Sequence, residues 1–400
     1  MTMRRPLLAA AVLALGLTAA PLLSATSAEA AQPAAAAAPD HNRVIVYYQK
    51  EFANGTNAYI SPLPLLTEHT GVDVVNIAAV HMNADALYLN DWLPSDPRFA
   101  QMWAELHTLQ SSGIALIGMI GGAMNETWVN LQADFATQYP RLKAFVDSYG
   151  LDGIDLDVET PTALATVEKV ITSLRADYGP DFLITLSPVS AAMEGDPVNI
   201  SGFDYDTLYR DLGDDIAWFN MQFYCNWGTP TAEEYEAIVE HQQTAGAHVP
   251  PSKLVLAVVT NPDNCAGWLP LPVLQQNLRT LTDSHPDFGG VAGWEYFNSL
   301  PGGPSAPWEW AALMRKTLDG GPIPTPTPDP TPAPDPSPTP TADPSPEPSA
   351  SATPVPTLAE TGEDGLALAA WGVIGGATLL GGIAAVAAVA HRRRAGTTRG

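Results

Sequence analysis

Short runs of β-branched and aromatic residues recur along the middle of the chain, and longer amphipathic segments separate them. Between two of these runs, residues 162–177 have apolar side chains at the spacing of one helical face, which predicts a helix. Strands are predicted at residues 44–48, 72–80, 115–120, 153–158, 183–187, 216–224, 254–260 and 290–296. Eight strands that alternate with helices indicate an α/β fold, the (β/α)8 TIM barrel, over residues 42–318.

The regions that flank this barrel have patterns of their own. Residues 1–30 combine two arginines, an apolar run and a small-residue end, which is the pattern of a secretory signal peptide. A single N-terminal membrane anchor is the alternative. Residues 31–41 are expected to form a flexible lead-in. Residues 319–357 are rich in Pro, Thr and Ser, so we expect an extended linker there.

Beyond this linker, the apolar segment 365–390 is long enough to span a membrane, and the basic tail 391–400 should stay on the cytoplasmic side. The preceding sequence LAETG, at 358–362, resembles the sorting signal of Gram-positive sortase substrates. That resemblance implies cleavage between Thr361 and Gly362 by a sortase and attachment to peptidoglycan. We therefore expect a secreted protein anchored to the cell wall of a Gram-positive, actinobacterial surface, with a precursor that spans the membrane transiently. A plain C-terminal membrane anchor is the alternative.

The composition adds a strongly acidic balance, with a formal net charge of −25 at pH 7. Such a surface repels phosphate backbones, so nucleic acid is not an expected partner. The carboxylates do not occur in runs with metal-ligand spacing, and we expect neither a metal nor a cofactor. We expect the protein to be a monomer.

The strongest candidate chemistry lies in residues 152–159, which read DGIDLDVE. From residue 154 onward apolar residues and carboxylates alternate, so Asp155, Asp157 and Glu159 share one face of a strand. We expect these three to point into the barrel lumen, with the apolar residues packed under the outer helices. Crowded buried carboxyls have pKa values that move apart, which can make one of them an acid near neutral pH. A hydrated acidic edge strand is the alternative.

This run matches D-x-x-D-x-D-x-E, the signature of the family 18 glycoside hydrolases, and the chain resembles that family here. The resemblance implies hydrolysis assisted by the 2-acetamido group of the substrate rather than by an enzyme nucleophile. It makes Glu159 the proton donor. Asp157 would hold the acetamido group and share a proton with Asp155. Asp152 and Gly153 would be structural.

Other strand ends supply further candidates. Asn220, Gln222 and Tyr224 share one face of the sixth predicted strand, and the resemblance assigns the Tyr224 hydroxyl to the acetamido oxygen. Trp294 would form the floor of the subsite for the reacting sugar. Packing in the core is the alternative for both Tyr224 and Trp294. The substrate-binding residues are expected to be Trp294, Gln222, Tyr48, Glu295 and Asn298. His81 is expected to be a loop histidine without a catalytic role, and Met119 stands where the family usually has a serine.

The two cysteines lie just past the sixth and seventh predicted strands, which are neighbours in a barrel. In an exported protein this arrangement favours a disulfide between Cys225 and Cys265.

Three functions remain open. An endo-β-N-acetylglucosaminidase would cut the β-1,4 bond of the N,N'-diacetylchitobiose core of N-glycans on glycoproteins, a chitinase would cut N-acetylglucosamine polymers, and a carbohydrate-binding barrel would do neither. The retained Glu159 argues against the third. Residues 260–290 leave room for only a loop and a helix, whereas deep-cleft chitinases carry an insertion there. The chain also resembles fungal secreted endo-β-N-acetylglucosaminidases over residues 44–315, including 89–91, 181–189, 199–203 and 293–303. We therefore predict N-glycan release first.

Overall fold

The computed structural model describes residues 38–53, 57–123, 125–196 and 199–323. The predicted signal peptide, the sorting signal with Thr361 and Gly362, the predicted membrane segment and the basic tail lie outside these residues, as do most of the lead-in and the linker. Among the residues described, no helix combines the length and the apolar character needed to cross a membrane.

In these described residues, nine strands form one sheet, and eight of them are parallel and close into a barrel. The bounds are β1 (Arg43–Tyr48), β2 (Val74–Met82), β3 (Leu87–Leu89), β4 (Ala115–Gly121), β5 (Gly153–Asp157), β6 (Leu183–Leu186), β7 (Trp218–Gln222), β8 (Leu254–Val259) and β9 (Gly290–Trp294). Closure comes from β1, which pairs in parallel with both β2 and β9. The predicted (β/α)8 barrel is confirmed, and each predicted strand lies within about two residues of its observed bounds.

The short strand β3 was not predicted. It pairs antiparallel with the end of β2, where Val80 lies opposite Leu89, and it forms a hairpin outside the barrel. Three residues are too few to display a strand's alternation in the sequence.

The helices surround the barrel and connect its strands. Their bounds are α1 (Pro64–Thr67), α2 (Ala100–Ser111), α3 (Thr127–Ala133), α4 (Phe135–Tyr149), α5 (Leu164–Tyr178), α6 (Ser190–Met193), α7 (Tyr205–Leu212), α8 (Ala232–Thr244), α9 (Leu271–Ser284) and α10 (Glu309–Leu318). The helix predicted at 162–177 is α5, and its apolar stripe of Val167, Val170 and Leu174 is buried as its spacing indicates.

Strand alternation divides the apolar core into two layers. One layer fills the space between barrel and helices and includes Ile154 and Leu156 of β5. The other fills the lumen and includes Ile45, Ile117 and Ala292. The same alternation therefore sends every second side chain of β5 into the lumen, as predicted for its carboxylates.

A cation and an indole close the lower end of the lumen, where the strands begin. The guanidinium of Arg43 lies over the ring of Trp218, with 4.5 Å between its central carbon and the ring centroid. Arg43 also donates hydrogen bonds to the backbone oxygens of Ser252 and Gly289, at 2.8 and 3.1 Å. This end is packed, and (β/α)8 barrels bind their ligands at the opposite end, where the strands finish.

Residues 38–323 contain every strand of the closed barrel together with α10, which packs against β1 and β9. The segment therefore has a complete hydrophobic core and is expected to fold as a unit.

Candidate active site

A cavity of about 280 Å³ opens at the C-terminal ends of the barrel strands. Its lining combines carboxyl groups, an amide and aromatic rings from several different strands and loops. The residues that matter below are Tyr47, Gln49, His81, Asp157, Glu159, Gln222, Tyr224 and Trp294. This position is where (β/α)8 barrels carry their chemistry.

Asp157 and Glu159 form an acid pair at the centre of this cavity. Gln222 on β7 bridges them, because its Nε2 donates to Asp157 Oδ1 at 3.0 Å and lies 3.2 Å from Glu159 Oε1. The same nitrogen lies 2.8 Å from the backbone oxygen of Ser187. Asp157 is buried, whereas Glu159 is half-buried and faces the open side. Both side chains line the cavity, and Glu159 is the more exposed member of the pair.

The electrostatics of the pair favour a shared proton. Burial raises the pKa of Asp157 well above its ordinary value, and the charges of Glu159 and Asp155 add to that rise. Burial also raises the pKa of Glu159, while hydrogen bonds from Gln222 and Asp157 oppose the rise. Two neighbouring buried carboxyls repel each other when both are charged, so this arrangement favours one proton shared by the pair.

Asp155 lies one layer below the pair and is surrounded by donors. Its Oδ2 accepts hydrogen bonds from the hydroxyls of Tyr47 and Ser187, at 2.9 and 2.6 Å. Its Oδ1 accepts from Thr185 at 2.5 Å and from the amide of Asn220 at 3.1 Å. Burial raises the pKa of Asp155, and these hydrogen bonds oppose that rise.

The hydroxyl groups around Asp155 come from residues other than the serine that the family usually has at the position of Met119. Methionine on β4 lines the cavity where the family usually has a serine, and Ser187 and Thr185 supply hydroxyls from β6 and its end instead. The hydroxyl groups that support Asp155 therefore come from β6 and its end rather than from β4. The expected sharing of a proton between Asp155 and Asp157 stays a prediction.

Tyr224 and Trp294 form an aromatic wall beside the acid pair. Their ring centroids are 5.6 Å apart and their planes differ by 14°. Burial and the charge of Asp157 raise the pKa of Tyr224 well above its ordinary value, so the hydroxyl remains a neutral donor. Both rings line the cavity, and Trp294 is half-buried, which leaves part of its indole for a ligand.

The expected disulfide between Cys225 and Cys265 is present. It joins the loop after β7 to the loop after β8, and the backbone N–H of Cys225 also donates to the oxygen of Ala266 at 2.8 Å. Because Cys225 directly follows Tyr224, the disulfide restrains the segment that carries the tyrosine.

Asp152 and Gly153 have the structural positions that were expected. Asp152 Oδ2 accepts from the backbone N–H of Leu116 at 2.8 Å and from Gln110 at 3.0 Å, which fixes the start of β5 against β4. A Cβ on Gly153 would lie 2.2 Å from the backbone oxygen of Leu183, so only glycine fits between these strands.

The prediction that Tyr48 contacts the substrate is wrong. Tyr48 points outward, packs against Tyr296 and donates to the backbone oxygen of Ile60 at 2.6 Å. Its neighbour Tyr47 points into the lumen and lines the cavity. Successive residues of a strand face opposite sides, so one position of error reverses the assignment.

Three further predicted residues have unexpected positions. Glu295 and Asn298 are buried behind the cavity wall, and Asn298 donates to the side-chain oxygen of Asn264 at 2.6 Å. Neither is among the residues that line the cavity. The sequence predicted a loop position for His81, but this residue lies on β2 and its half-buried ring lines the cavity. Burial lowers the pKa of His81, so its imidazole is neutral at neutral pH.

Three supporting residues, Tyr47, Thr185 and Ser187, were not predicted from the sequence. Hydroxyl residues at alternate positions of a strand are a usable signal, because Thr185 and Ser187 share the lumen face. Tyr47 gave no such signal, since both faces of β1 are apolar. In the described part of the chain, His, Cys, Asp and Glu side chains do not gather in groups of three that could hold a metal ion.

Two neighbouring carboxyl groups at the C-terminal ends of barrel strands are the arrangement that most glycoside hydrolases use. Residues 43–264 match the profile of the glycosyl hydrolases family 18, and the chain belongs to this family.

Solved structures similar to this chain include two fungal enzymes. A fungal endo-β-N-acetylglucosaminidase of family 18 is 39% identical, with a TM-score of 0.64, and the match covers 69% of this chain and 98% of that one. The chitinase ChiC from Aspergillus fumigatus is 40% identical, with a TM-score of 0.62, over 70% of this chain and 100% of that one.

Among curated proteins, Chitinase 2 of Rhizopus oligosporus is 24% identical in an alignment of 281 residues, and the match covers 63% of this chain and 48% of that protein. The chain thus spans about half the length of the curated relatives that it matches.

Proposed function

We propose that this protein is an endo-β-N-acetylglucosaminidase that hydrolyses the β-1,4 bond of the N,N'-diacetylchitobiose core of N-glycans. One N-acetylglucosamine would remain on the asparagine of the glycoprotein. The observation that carries the chemistry is the acid pair of Asp157 and Glu159, bridged by Gln222 beside the wall of Tyr224 and Trp294.

Catalysis begins with the proton held by the pair. Glu159 donates it to the glycosidic oxygen, and the carbonyl oxygen of the substrate's own 2-acetamido group attacks the anomeric carbon as the leaving sugar departs. An oxazolinium ion forms. Asp157 accepts a hydrogen bond from the acetamido N–H, and the Tyr224 hydroxyl donates one to the acetamido oxygen. Both contacts hold the group in the attacking position.

Water completes the reaction in the second step. Glu159, now a carboxylate, accepts a proton from water as the water attacks the anomeric carbon from the side that the leaving sugar occupied. The oxazolinium ring opens and the acetamido group is restored. Two inversions at one carbon give net retention of configuration.

The preference for N-glycans rests on the shape of the site and on similarity. The connection between β8 and β9 contains only loops and the helix α9 in the described structure, so an added subdomain does not deepen the cleft. A shallow cleft accommodates a branched glycan better than a long linear chain. The match to the fungal endo-β-N-acetylglucosaminidase covers 98% of that chain and 69% of this one.

Chitin hydrolysis is the second candidate, and a specific observation favours it. The chitinase ChiC of Aspergillus fumigatus is as similar to this chain as the endo-β-N-acetylglucosaminidase is. The same acid pair would serve a chitin oligomer, because both substrates place a 2-acetamido group beside the bond that is cut. A carbohydrate-binding barrel without activity is disfavoured by the accessible Glu159 in the cavity.

One experiment separates these functions. The segment 38–323 is incubated with a high-mannose glycoprotein and, separately, with chitooligosaccharides, and the products are weighed by mass spectrometry. A glycoprotein that retains one N-acetylglucosamine at each site is the expected result. Shortened chitooligosaccharides beside an intact glycoprotein would make the protein a chitinase, and no product from either would favour the binding barrel.

We further propose that the protein is secreted and then anchored to peptidoglycan by a sortase. The support is the sequence pattern of residues 1–30, the LAETG motif and the apolar segment that follows it. The expected result is that Thr361→Ala transfers the protein from the cell-wall fraction to the membrane fraction. An unchanged wall fraction would contradict sortase anchoring.

A further inference from the structure

A chain of hydrogen bonds lies behind the indole of Trp294 and leads away from the cavity. The indole Nε1 donates to Gln49 Oε1 at 3.2 Å. Gln49 Nε2 donates in turn to Asn90 Oδ1, also at 3.2 Å. Asn90 Nδ2 then donates to both carboxyl oxygens of Glu51, at 2.9 and 3.1 Å. Two side-chain amides thus connect a cavity ring to a buried carboxyl group.

Only one direction of this chain satisfies every group. An indole nitrogen is a donor and never an acceptor, so Gln49 must turn its oxygen toward Trp294. Its amide nitrogen then faces Asn90 and needs an acceptor there. If the Gln49 amide were reversed, two donors would meet at the indole and the hydrogen bond would be lost.

The orientation of the Asn90 side-chain amide is set by backbone groups, which cannot rotate. Its Oδ1 lies 3.3 Å from the backbone N–H of Ala79, and its Nδ2 lies 3.2 Å from the backbone oxygen of Ala78. The Glu51 carboxyl, 3% exposed, reinforces the same direction by accepting from Nδ2. The backbone of β2 therefore sets the orientation of Asn90, and Asn90 sets that of Gln49.

We propose that Asn90 is a positioning residue that orients the Trp294 indole through the Gln49 amide. Asn90 does not line the cavity, whereas Gln49 and Trp294 do. Trp294 holds its ring nearly parallel to Tyr224, and rotation of the indole would change the surface offered to the reacting sugar. The effect on catalysis rests on the proposed function, but the orientation of the indole does not.

The test removes the side-chain amide of Asn90 without disturbing the backbone at this position. Asn90 has a φ of 52°, which glycine adopts without strain, so Asn90→Gly is the suitable change. Asn57→Gly is the matched control, since Asn57 has a φ of 51° and lies in the loop after β1. In the segment 38–323, the Trp294 indole N–H resonance is identified by its loss in Trp294→Phe.

The expected result is that Asn90→Gly shifts or broadens this resonance and Asn57→Gly does not. Loss of one hydrogen bond of ordinary strength corresponds to a fall of about fivefold in kcat/KM, measured on the substrate that the mass experiment identifies. An unchanged indole resonance in Asn90→Gly would overturn the proposal, whatever the activity. A shifted resonance with an unchanged kcat/KM would overturn the role in catalysis.

A second variant separates positioning from general support of the fold. Adding Gln49→Glu to Asn90→Gly places a carboxyl group beside the indole, and this group presents an acceptor oxygen whichever way it is turned. The orientation of the side chain at position 49 then no longer affects the hydrogen bond, so the indole resonance should return toward its native position. If Asn90 served only the stability of the hairpin, the added Gln49→Glu would leave the resonance shifted, and the proposal would fail.

Discussion

Gln222 donates from a single side-chain nitrogen toward Asp157 at 3.0 Å and toward Glu159 at 3.2 Å, although it comes from β7 and they come from β5 and its end. The amide lies across the two carboxyls and holds them close enough to share a proton. It can only donate from this nitrogen, so it stabilises whichever carboxyl is ionised. The pair can therefore pass its proton from Asp157 to Glu159 and keep a hydrogen bond throughout.

Glu159→Gln should abolish turnover. The amide has the shape of the carboxyl but cannot transfer a proton, and positioned acids contribute about a hundredfold to ten-thousandfold in rate. We expect kcat to fall by at least about a thousandfold. Calorimetry with the uncleaved substrate should give unchanged binding, and the melting temperature should stay within a few degrees. Appreciable residual turnover would show that another group is the acid.

Asp157→Asn should separate the two chemical steps. The amide can no longer hold a proton for Glu159 or stabilise the oxazolinium ion, so hydrolysis of the glycan should slow strongly. A synthetic sugar oxazoline supplies the intermediate ready-made, and we expect the variant to use it as a donor for an acceptor sugar. Chromatography of the transfer product is the measurement. If the variant ignored the oxazoline, assistance by the substrate's acetamido group would be contradicted.

Glu295→Gln should change how stability depends on pH. Burial raises the pKa of Glu295 from 4.5 to about 7, with the charge of Lys50 opposing the rise. The folded protein holds this proton more tightly than the unfolded chain, so the carboxyl costs stability as pH rises through this interval.

The glutamine variant lacks that cost. Its free energy of unfolding relative to the native protein should therefore rise between about pH 4.5 and 7, by about 3 kcal/mol at most. Urea unfolding at several pH values measures the difference. A difference that does not change with pH would mean that Glu295 ionises normally in the folded protein.

Gly153→Ala should be strongly destabilising. Its Cβ would lie 2.2 Å from the backbone oxygen of Leu183, which belongs to the neighbouring strand and cannot move alone. We expect a loss of about 3 kcal/mol, at the upper end of the usual cost of overpacking. Gly150→Ala is the comparison, because no atom lies within 4 Å of its added Cβ and only its φ of 58° is unfavourable. That change should cost about 1 to 2 kcal/mol. Equal losses in chemical unfolding would contradict the steric argument.

How much could be predicted depended on contrast between the two faces of a strand. On β5 the carboxylates alternate with apolar residues, so the lumen face could be identified before the structure was known, and Asp155, Asp157 and Glu159 lie there. On β1 every residue of the central run is apolar or aromatic, so the sequence did not distinguish Tyr47 from Tyr48. The choice of Tyr48 was wrong for that reason.

Loop residues were the hardest to predict. Asn90 and Glu51 lie in different loops and make contact only because β1 and β2 are adjacent in the barrel. Their pairing has no local pattern, since it depends on closure of the whole sheet. The same limit applies to Glu295 and Asn298, whose polar side chains suggested sugar contacts but turn behind the wall that Trp294 forms.

The guanidinium of Arg43 stacks on Trp218 and fills the end of the barrel lumen that lies opposite the cavity. In the part of the chain that the structure describes, Glu159 lines the cavity at the opposite end of the barrel, where the strands finish, and we expect ligands to enter there. Under the proposed mechanism, the water of the second step must then enter by the path that the leaving sugar has just vacated. This geometry sets the order of events, because the leaving sugar must depart before water can reach the anomeric carbon. Any hydroxyl compound that arrives by the same path competes with water, so a sugar acceptor at high concentration should divert the enzyme from cleavage to synthesis.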